Sequence, residues 1–243
     1  MTATIFLAGA TGVIGIRSAR LLHDAGYTVY GTTRCEGKSE SLRAVGAIPV
    51  VVDVFDREAL IARVSSVRPT IVMHQLTDLA RLGDPAFELE TISANARIRS
   101  EGTKNLIAAA RASGAERVVA QSIGWVYAAG PQPHSEADPR DINAGGARAI
   151  SIGGVVALEE QVMGSPPIEG VVLRYGRLYG PGTGADNPQP DPTVHVDAAA
   201  HAALLAIERA RSGIFNIADE SSIISTEQAR DVLGWSPSFR MPR

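Results

Sequence analysis

Short runs of β-branched and apolar residues alternate with longer stretches whose apolar positions recur every three or four residues, and this alternation holds over about three quarters of the chain. Residues 4–8 (Thr-Ile-Phe-Leu-Ala) predict a first strand, and residues 14–25 a helix stopped by Gly26 just past its end. A second strand follows over 27–32, a short helix over 39–45 closed by Gly46, and a third strand over 48–52 ending at Asp53. Helical spacing over 56–67 stops ahead of Arg68-Pro69, where the residue before proline disfavours the α region. Strand four is predicted over 70–74, a long helix over 87–113 capped by Gly114, and strand five over 117–121. A further helix starts near residue 149 and has Glu160 near its end, and strand six spans 170–174. Strands separated by helices predict βαβ units on a parallel sheet, so the fold class is α/β. Two loops rich in Gly, Pro and acidic residues, 128–146 and 180–192, interrupt the pattern; loops of that length are functional or are solvated excursions.

Composition narrows the partners. With 243 residues, 45% hydrophobic and 20% charged, the chain can bury a substantial core as one domain. Its 26 acidic and 23 basic side chains are interspersed and leave a net charge of −3, so no nucleic-acid partner is expected. Apolar runs are too short to span a membrane, the start carries no basic leader, and the single cysteine, Cys35, excludes an intramolecular disulfide. A cytoplasmic protein is expected. Of the 23 basic residues only Lys38 and Lys104 are lysines.

Directly after the first strand comes Gly9-Ala10-Thr11-Gly12-Val13-Ile14-Gly15. Glycines spaced three apart at a strand-to-helix turn let the backbone turn tightly and approach a pyrophosphate, while the helix start offers free N–H groups and the positive dipole end. The spacing predicts a dinucleotide site. Strand two ends Gly31-Thr32-Thr33-Arg34 with no acid until Glu36, so the carboxylate that would select a ribose 2′-hydroxyl is missing. Arg34, helped by Lys38, is placed to pair with a 2′-phosphate, which favours NADP with NAD as the alternative. Asp53, with Val54 beside it, either reaches an adenine amino group or caps the next helix. His74 and Gln75 end strand four at the ligand edge of the sheet.

These stretches, together with Gly102-Thr103-Lys104-Asn105-Leu106, Gln121-Ser122, Val126-Tyr127, 173–182 (Leu-Arg-Tyr-Gly-Arg-Leu-Tyr-Gly-Pro-Gly), Val194-His195-Val196-Asp197, Phe215-Asn216-Ile217-Ala218 and Leu233-Gly234-Trp235, resemble an atypical extended short-chain dehydrogenase/reductase of the NAD-dependent epimerase/dehydratase family. The resemblance implies a Rossmann-type doubly wound parallel sheet, with short substrate-lobe segments at about 177–193 and 219–243. It also implies a homodimer through the helices flanking strand five. Relatives use a Tyr-x-x-x-Lys pair on the helix after strand five, the lysine lowering the pKa of a phenol that is otherwise near 10. Registering that motif on Glu160 puts Ile152 at the tyrosine and Val156 at the lysine position, and residues 128–174 contain neither a tyrosine nor a lysine.

The remaining catalytic candidates are Ser122, which would polarise the reacting oxygen or merely cap a turn, and Tyr127, which would supply a proton or be structural. Cofactor contacts are expected from Gly9, Thr11, Gly12, Val13, Ile14, Gly15, Arg34, Asp53, Val54, His74 and Gln75, and substrate contacts from Trp125, Arg174 and Tyr175. His134, Glu136 and Asp138 either cover the substrate or are solvated. His195, Asp197 and His201 look like metal ligands by spacing alone, and no metal is expected. The leading function is an NADP(H)-binding enzyme for carbonyl reduction, dehydration or epimerisation of a small or medium organic metabolite. A non-redox isomerase, cyclase or lyase on the same scaffold, or a non-catalytic NADP(H) sensor, are the alternatives.

Overall fold

A computed structural model describes residues 3–78, 85–188 and 190–242. In chain order the elements are β1 (Thr4–Ala8), α1 (Val13–Asp24), β2 (Thr28–Thr33), α2 (Ser39–Arg43), β3 (Ile48–Val51), α3 (Arg57–Val67), β4 (Ile71–His74), α4 (Glu88–Arg97) and α5 (Thr103–Ser113). They continue with β5 (Arg117–Ile123), α6 (Gly146–Met163), β6 (Glu169–Tyr175), β7 (Arg177–Tyr179), β8 (Thr193–His195), α7 (Val196–Arg209), β9 (Gly213–Ile217) and α8 (Glu227–Leu233).

Seven strands form one parallel sheet in the order β3-β2-β1-β4-β5-β6-β9, reversing direction of growth between β1 and β4. The chain therefore has the Rossmann-like α/β fold. Parallel strands are buried on both faces, which is why Ile5–Ala8 of β1 and Gly170–Leu173 of β6 are apolar without a break. Ile5, Leu7, Met73, Val119, Val171 and Leu173 face α1 and α7 on one side; Phe6, Val72, Val118, Ala120 and Val172 face α3, α5 and α6 on the other. Pro49 sits in β3, an edge strand, where a missing N–H costs no ladder bond.

The termini follow local chemistry. Asp56 caps α3 by accepting from the Ala59 amide at 3.0 Å, and Gly114 closes α5 at φ +76°. Among the boundaries that differ from expectation, α2 stops at Arg43, β5 runs on to Ile123, α6 begins at Gly146, and the long helix of 87–113 is interrupted between α4 and α5 by a π-helical turn, Ile98–Gly102. The two short strands β7 and β8 pair outside the main sheet and carry the chain over the 180–192 loop. No described helix is long and apolar enough to cross a membrane.

Candidate dinucleotide cleft and the wall behind it

Sheet growth reverses between β1 and β4, and the crevice beyond their carboxyl ends is where open α/β sheets bind ligands. Gly9 leaves β1 at φ +84°, its N–H bonded to Thr32 Oγ1 at 3.0 Å, and a Cβ there would lie 2.6 Å from the Gln75 carbonyl oxygen. Gly12 is the residue ahead of α1, extended at φ −77°, with no side-chain cap and no acid in the first turn. The first backbone bond into the helix is Ile16 N–H to Gly12 C=O at 2.9 Å, so the amides of Val13, Ile14 and Gly15 point ahead of the helix without a side-chain acceptor. Thr11 and Gly12 are accessible at this cradle, whereas Ile14 and Gly15 pack inward. The geometry fits a diphosphate.

Around the cradle, Arg34 and Lys38 are exposed, and among the described residues their side chains form no hydrogen bond or ion pair. Asp53, half-buried at the end of β3, accepts from the Phe55 amide at 2.9 Å and keeps one carboxylate oxygen uncommitted, and Val54 behind it is buried. His74 is buried, with Nε2 3.1 Å from Thr103 Oγ1 and Nδ1 accepting from the Leu76 amide. Burial, aided by the charge of Arg99, lowers its pKa from 6.5 to about 4, so the imidazole is neutral at pH 7. Gln75 is buried with neither amide atom hydrogen-bonded. The Tyr175 hydroxyl beside it is likewise unpartnered, and burial raises its pKa well above the ordinary phenol value against a smaller opposing effect of the Gln75 amide.

A stability effect follows from His74. Its folded pKa lies below the unfolded value, so between pH 6.5 and 4 the unfolded chain takes up a proton that the native site refuses, and stability falls as pH falls. By pH 5 this loss is expected to reach on the order of 2 kcal/mol. Denaturant unfolding of wild type and His74→Gln at pH 7 and pH 5 checks it: the variant should lose a large share of the pH dependence, and equal slopes in the two proteins would refute the assignment.

The two hydroxyls expected to be catalytic are turned into the wall, not the cleft. Ser122 Oγ is buried and donates to Glu159 Oε1 at 2.8 Å. Tyr127 donates to Asn216 Oδ1 at 2.6 Å and accepts from Arg174 Nη1 at 2.9 Å, and burial pushes its pKa up, away from neutrality. Arg174, expected to touch substrate, is 2% exposed and spent: Nε and Nη2 bind Glu159 at 2.8 and 2.7 Å, and Nη1 also reaches Glu136 C=O. Tyr175 is sealed as well. Of the three expected substrate contacts only Trp125 is partly accessible, with the Arg177 guanidinium 4.8 Å above its ring.

The same wall distinguishes the two glutamates near the end of α6. Glu160 is exposed and pairs with Arg140, while Glu159, 1% exposed, is the glutamate fixed by packing. A register set on Glu159 moves the tyrosine and lysine positions to Ser151 and Val155, and neither register supplies a phenol or an ammonium. The 128–146 loop is part of this structure: His134 stacks on Tyr127 at 4.9 Å and holds Asp138 at 3.0 Å, its backbone bonds Ile223 and Ser225, and Glu136 accepts from the Asn216 amide at 2.7 Å. His195 caps α7 through the Asp197 amide, Asp197 pairs with Arg17 at 2.8 Å, and His201 stacks on Phe239. Asn216, quoted in the sequence only as part of the 215–218 stretch and given no role, ties β9 to this loop through its buried amide, and Arg99, which lies in the π-turn, stands in no spacing that marks it.

Comparison with known proteins agrees with this geometry. Residues 5–193 match the model of the NAD dependent epimerase/dehydratase family. A Streptomyces protein described as 3-diazoavenalumate denitrifying reductase is 37% identical over 236 residues, covering 89% of this chain and 76% of that protein. Among solved structures, the UDP-glucose 4-epimerase of Thermotoga maritima with UDP-glucose superposes with a TM-score of 0.77 at 20% identity, covering 98% of this chain and 94% of that one. The Thermus thermophilus UDP-glucose 4-epimerase in complex with NAD gives 0.77 at 20% identity over 98% and 95% of the two chains. The chain belongs to the NAD-dependent epimerase/dehydratase family.

Proposed function

We propose that this protein is a nicotinamide-dependent reductase, preferring NADP(H), that reduces a small organic carboxylate bearing a diazonium group with loss of dinitrogen. The observation that carries the reading is the commitment of the Ser122 and Tyr127 hydroxyls to Glu159, Asn216 and Arg174, in a chain whose 128–174 segment holds no tyrosine or lysine. Carbonyl reduction and epimerisation at a carbinol both require a group that gives or takes the oxygen-bound proton, and no side chain of the expected set is free to do so. When bound, the reduced dinucleotide supplies a hydride. Delivered to a diazonium carbon, that hydride pair would form the C–H bond while the C–N pair would leave with N2, so this chain's residues would have no proton to give or take. The 37% identical Streptomyces reductase, whose description names a diazo carboxylate and its denitrification, supports the same chemistry.

Gly9, Gly12 and the amides of Val13 to Gly15 would hold the diphosphate, Asp53 with Val54 the adenosine end, and His74 and Gln75 the inner wall. Arg34 and Lys38 would face a 2′-phosphate, which supports NADP over NAD. Trp125 would border the substrate. The exposed apolar Leu89 on α4 and Ile150 and Met163 on α6 support a homodimer through those helices.

The test follows NADPH or NADH oxidation together with N2 release from an aryl diazonium carboxylate. Equimolar oxidation and gas release with NADPH is expected, and Arg34→Ala should raise the KM for NADPH about 10- to 100-fold while leaving that for NADH nearly unchanged. Failure to consume the diazonium compound would sink the reaction. An unchanged NADPH/NADH ratio in Arg34→Ala would sink the 2′-phosphate reading.

A further inference from the structure

Between α4 and α5 the helix widens into a π-turn over Ile98–Gly102, a distortion that recurs at functional sites because it redirects a side chain out of the helical series. Both flanks of the turn are clamped to α6. Ala96 packs so closely on Gly154 that a Cβ there would lie 2.7 Å from the Ala96 Cα, and the Ser100 carbonyl accepts from Gln161 at 3.1 Å. The backbone that carries Arg99 is therefore rigid.

The π-turn runs beside His74 at the carboxyl end of β4, whose Nε2 lies 3.1 Å from the Oγ1 of Thr103, the residue that follows the turn, and the Arg99 charge acts on both His74 and Glu159 of α6. Among the described residues it has no hydrogen bond and no ion pair, whereas neighbouring Arg97 is paired with Glu101 at 2.7 Å on the outer face. Glu159 has no oxygen left for it: Oε1 accepts from Ser122 and Arg174, and Oε2 from Arg174 and Arg140. Nor are the guanidinium nitrogens among the polar atoms sealed from solvent without a partner. Burial lowers its pKa to about 10 against a smaller opposing effect of the Glu159 charge, so at pH 7 it remains a cation, partly withdrawn from water and without a hydrogen-bonded counter-charge. Such a group is costly unless an anion arrives to meet it.

We propose that Arg99 is the substrate anchor of the cleft, binding the substrate's carboxylate through two parallel N–H···O bonds from the π-turn between β4 and α6. This deepens the reading that the substrate is a diazonium carboxylate and rests on it. The role belongs to no residue of the expected site, and it supplies in this cleft a cation that the α6 helix does not.

The test compares wild type, Arg99→Met and Arg99→Lys as the whole 243-residue chain with NADPH supplied. One arm measures turnover of an aryl diazonium carboxylate and of its primary amide; the other measures binding of benzoate and benzamide, which cannot react. Arg99→Met should raise the KM for the carboxylate about 100-fold with kcat within a few-fold, erase the preference over the amide, and abolish benzoate binding. Arg99→Lys should restore part of the benzoate affinity, and the NADPH dissociation constant should stay unchanged in both variants. Because the native cation lacks a partner, ligand-free Arg99→Met should melt at or above wild type, an outcome that a structural arginine would not give. Unchanged carboxylate KM, lost NADPH affinity, or wild type that binds no benzoate would each overturn the proposal. If benzoate binding depends on Arg99 but the diazonium compound is not reduced, the reaction reading fails and the anchor stands.

Discussion

Gly15→Ala is expected to lower folding stability by about 3 kcal/mol or more and to abolish dinucleotide binding, whereas Gly12→Ala, three residues away, should fold normally and lose affinity alone. The difference lies in what each new methyl would meet. At Gly15 the Cβ falls 2.1 Å from the Gly9 carbonyl oxygen and 2.8 Å from the Ala10 Cα, all backbone atoms. Relief would require the β1–α1 turn to move. It is held on two sides, by the Gly9 N–H bonded to Thr32 and by Gly9 pressed against the Gln75 carbonyl. At Gly12 the Cβ meets only the Gly9 oxygen, at 3.3 Å, and its φ of −77° suits any residue. That methyl projects at the open start of α1, where a phosphate oxygen must come within hydrogen-bond distance of the amides. Its expected cost is under about 1 kcal/mol of stability and at least about 10-fold in dinucleotide affinity. Denaturant unfolding and quenching of intrinsic fluorescence by NADPH separate the two quantities. Wild-type stability in Gly15→Ala, or wild-type affinity in Gly12→Ala, would show that the turn is not a phosphate cradle.

That cradle was legible in the sequence because a backbone requirement leaves glycine at fixed spacing, and spacing survives without any knowledge of tertiary neighbours. The sheet was legible for a similar reason: strands buried on both faces carry runs of consecutive apolar residues, and helices that cover them end where Gly26 and Gly114 adopt φ +90° and +76°. Hydroxyl roles had no such local signature. The acceptor for Ser122 lies 37 residues on, and the partner of Tyr127 is 89 residues away on β9, so only the assembled fold reveals that both are consumed. Adjacent Glu159 and Glu160 differ by about 100° around α6, and packing alone decides which is buried. The π-turn is invisible to a periodicity argument, since one extra residue in a turn barely disturbs the apolar pattern of 87–113. Nothing in the sequence therefore singled out Arg99.

Removing Glu159 should be the most damaging side-chain deletion in the wall. Glu159→Ala leaves the Arg174 guanidinium, 2% exposed, without its counter-charge and Ser122 without an acceptor, for an expected loss of about 3–5 kcal/mol. For a domain stable by roughly 5–15 kcal/mol that is a third or more of the total. Ser122→Ala, which removes one donor and leaves the ion pair intact, should cost only about 1 kcal/mol. The comparison tests whether Ser122 belongs to the wall: a catalytic serine would instead show normal stability with turnover lost. Adding Arg174→Met to Glu159→Ala should recover part of the loss, because a buried charge without a partner is worse than none, but recovery stays incomplete since Arg174 also holds Tyr127 and Glu136. NADPH affinity should change less than about threefold in Ser122→Ala, as no atom of this network touches the glycine turn. Should Glu159→Ala unfold within about 1 kcal/mol of wild type, the ion pair would be no keystone, and Ser122 and Tyr127 would have to be reconsidered as groups free to act on a substrate.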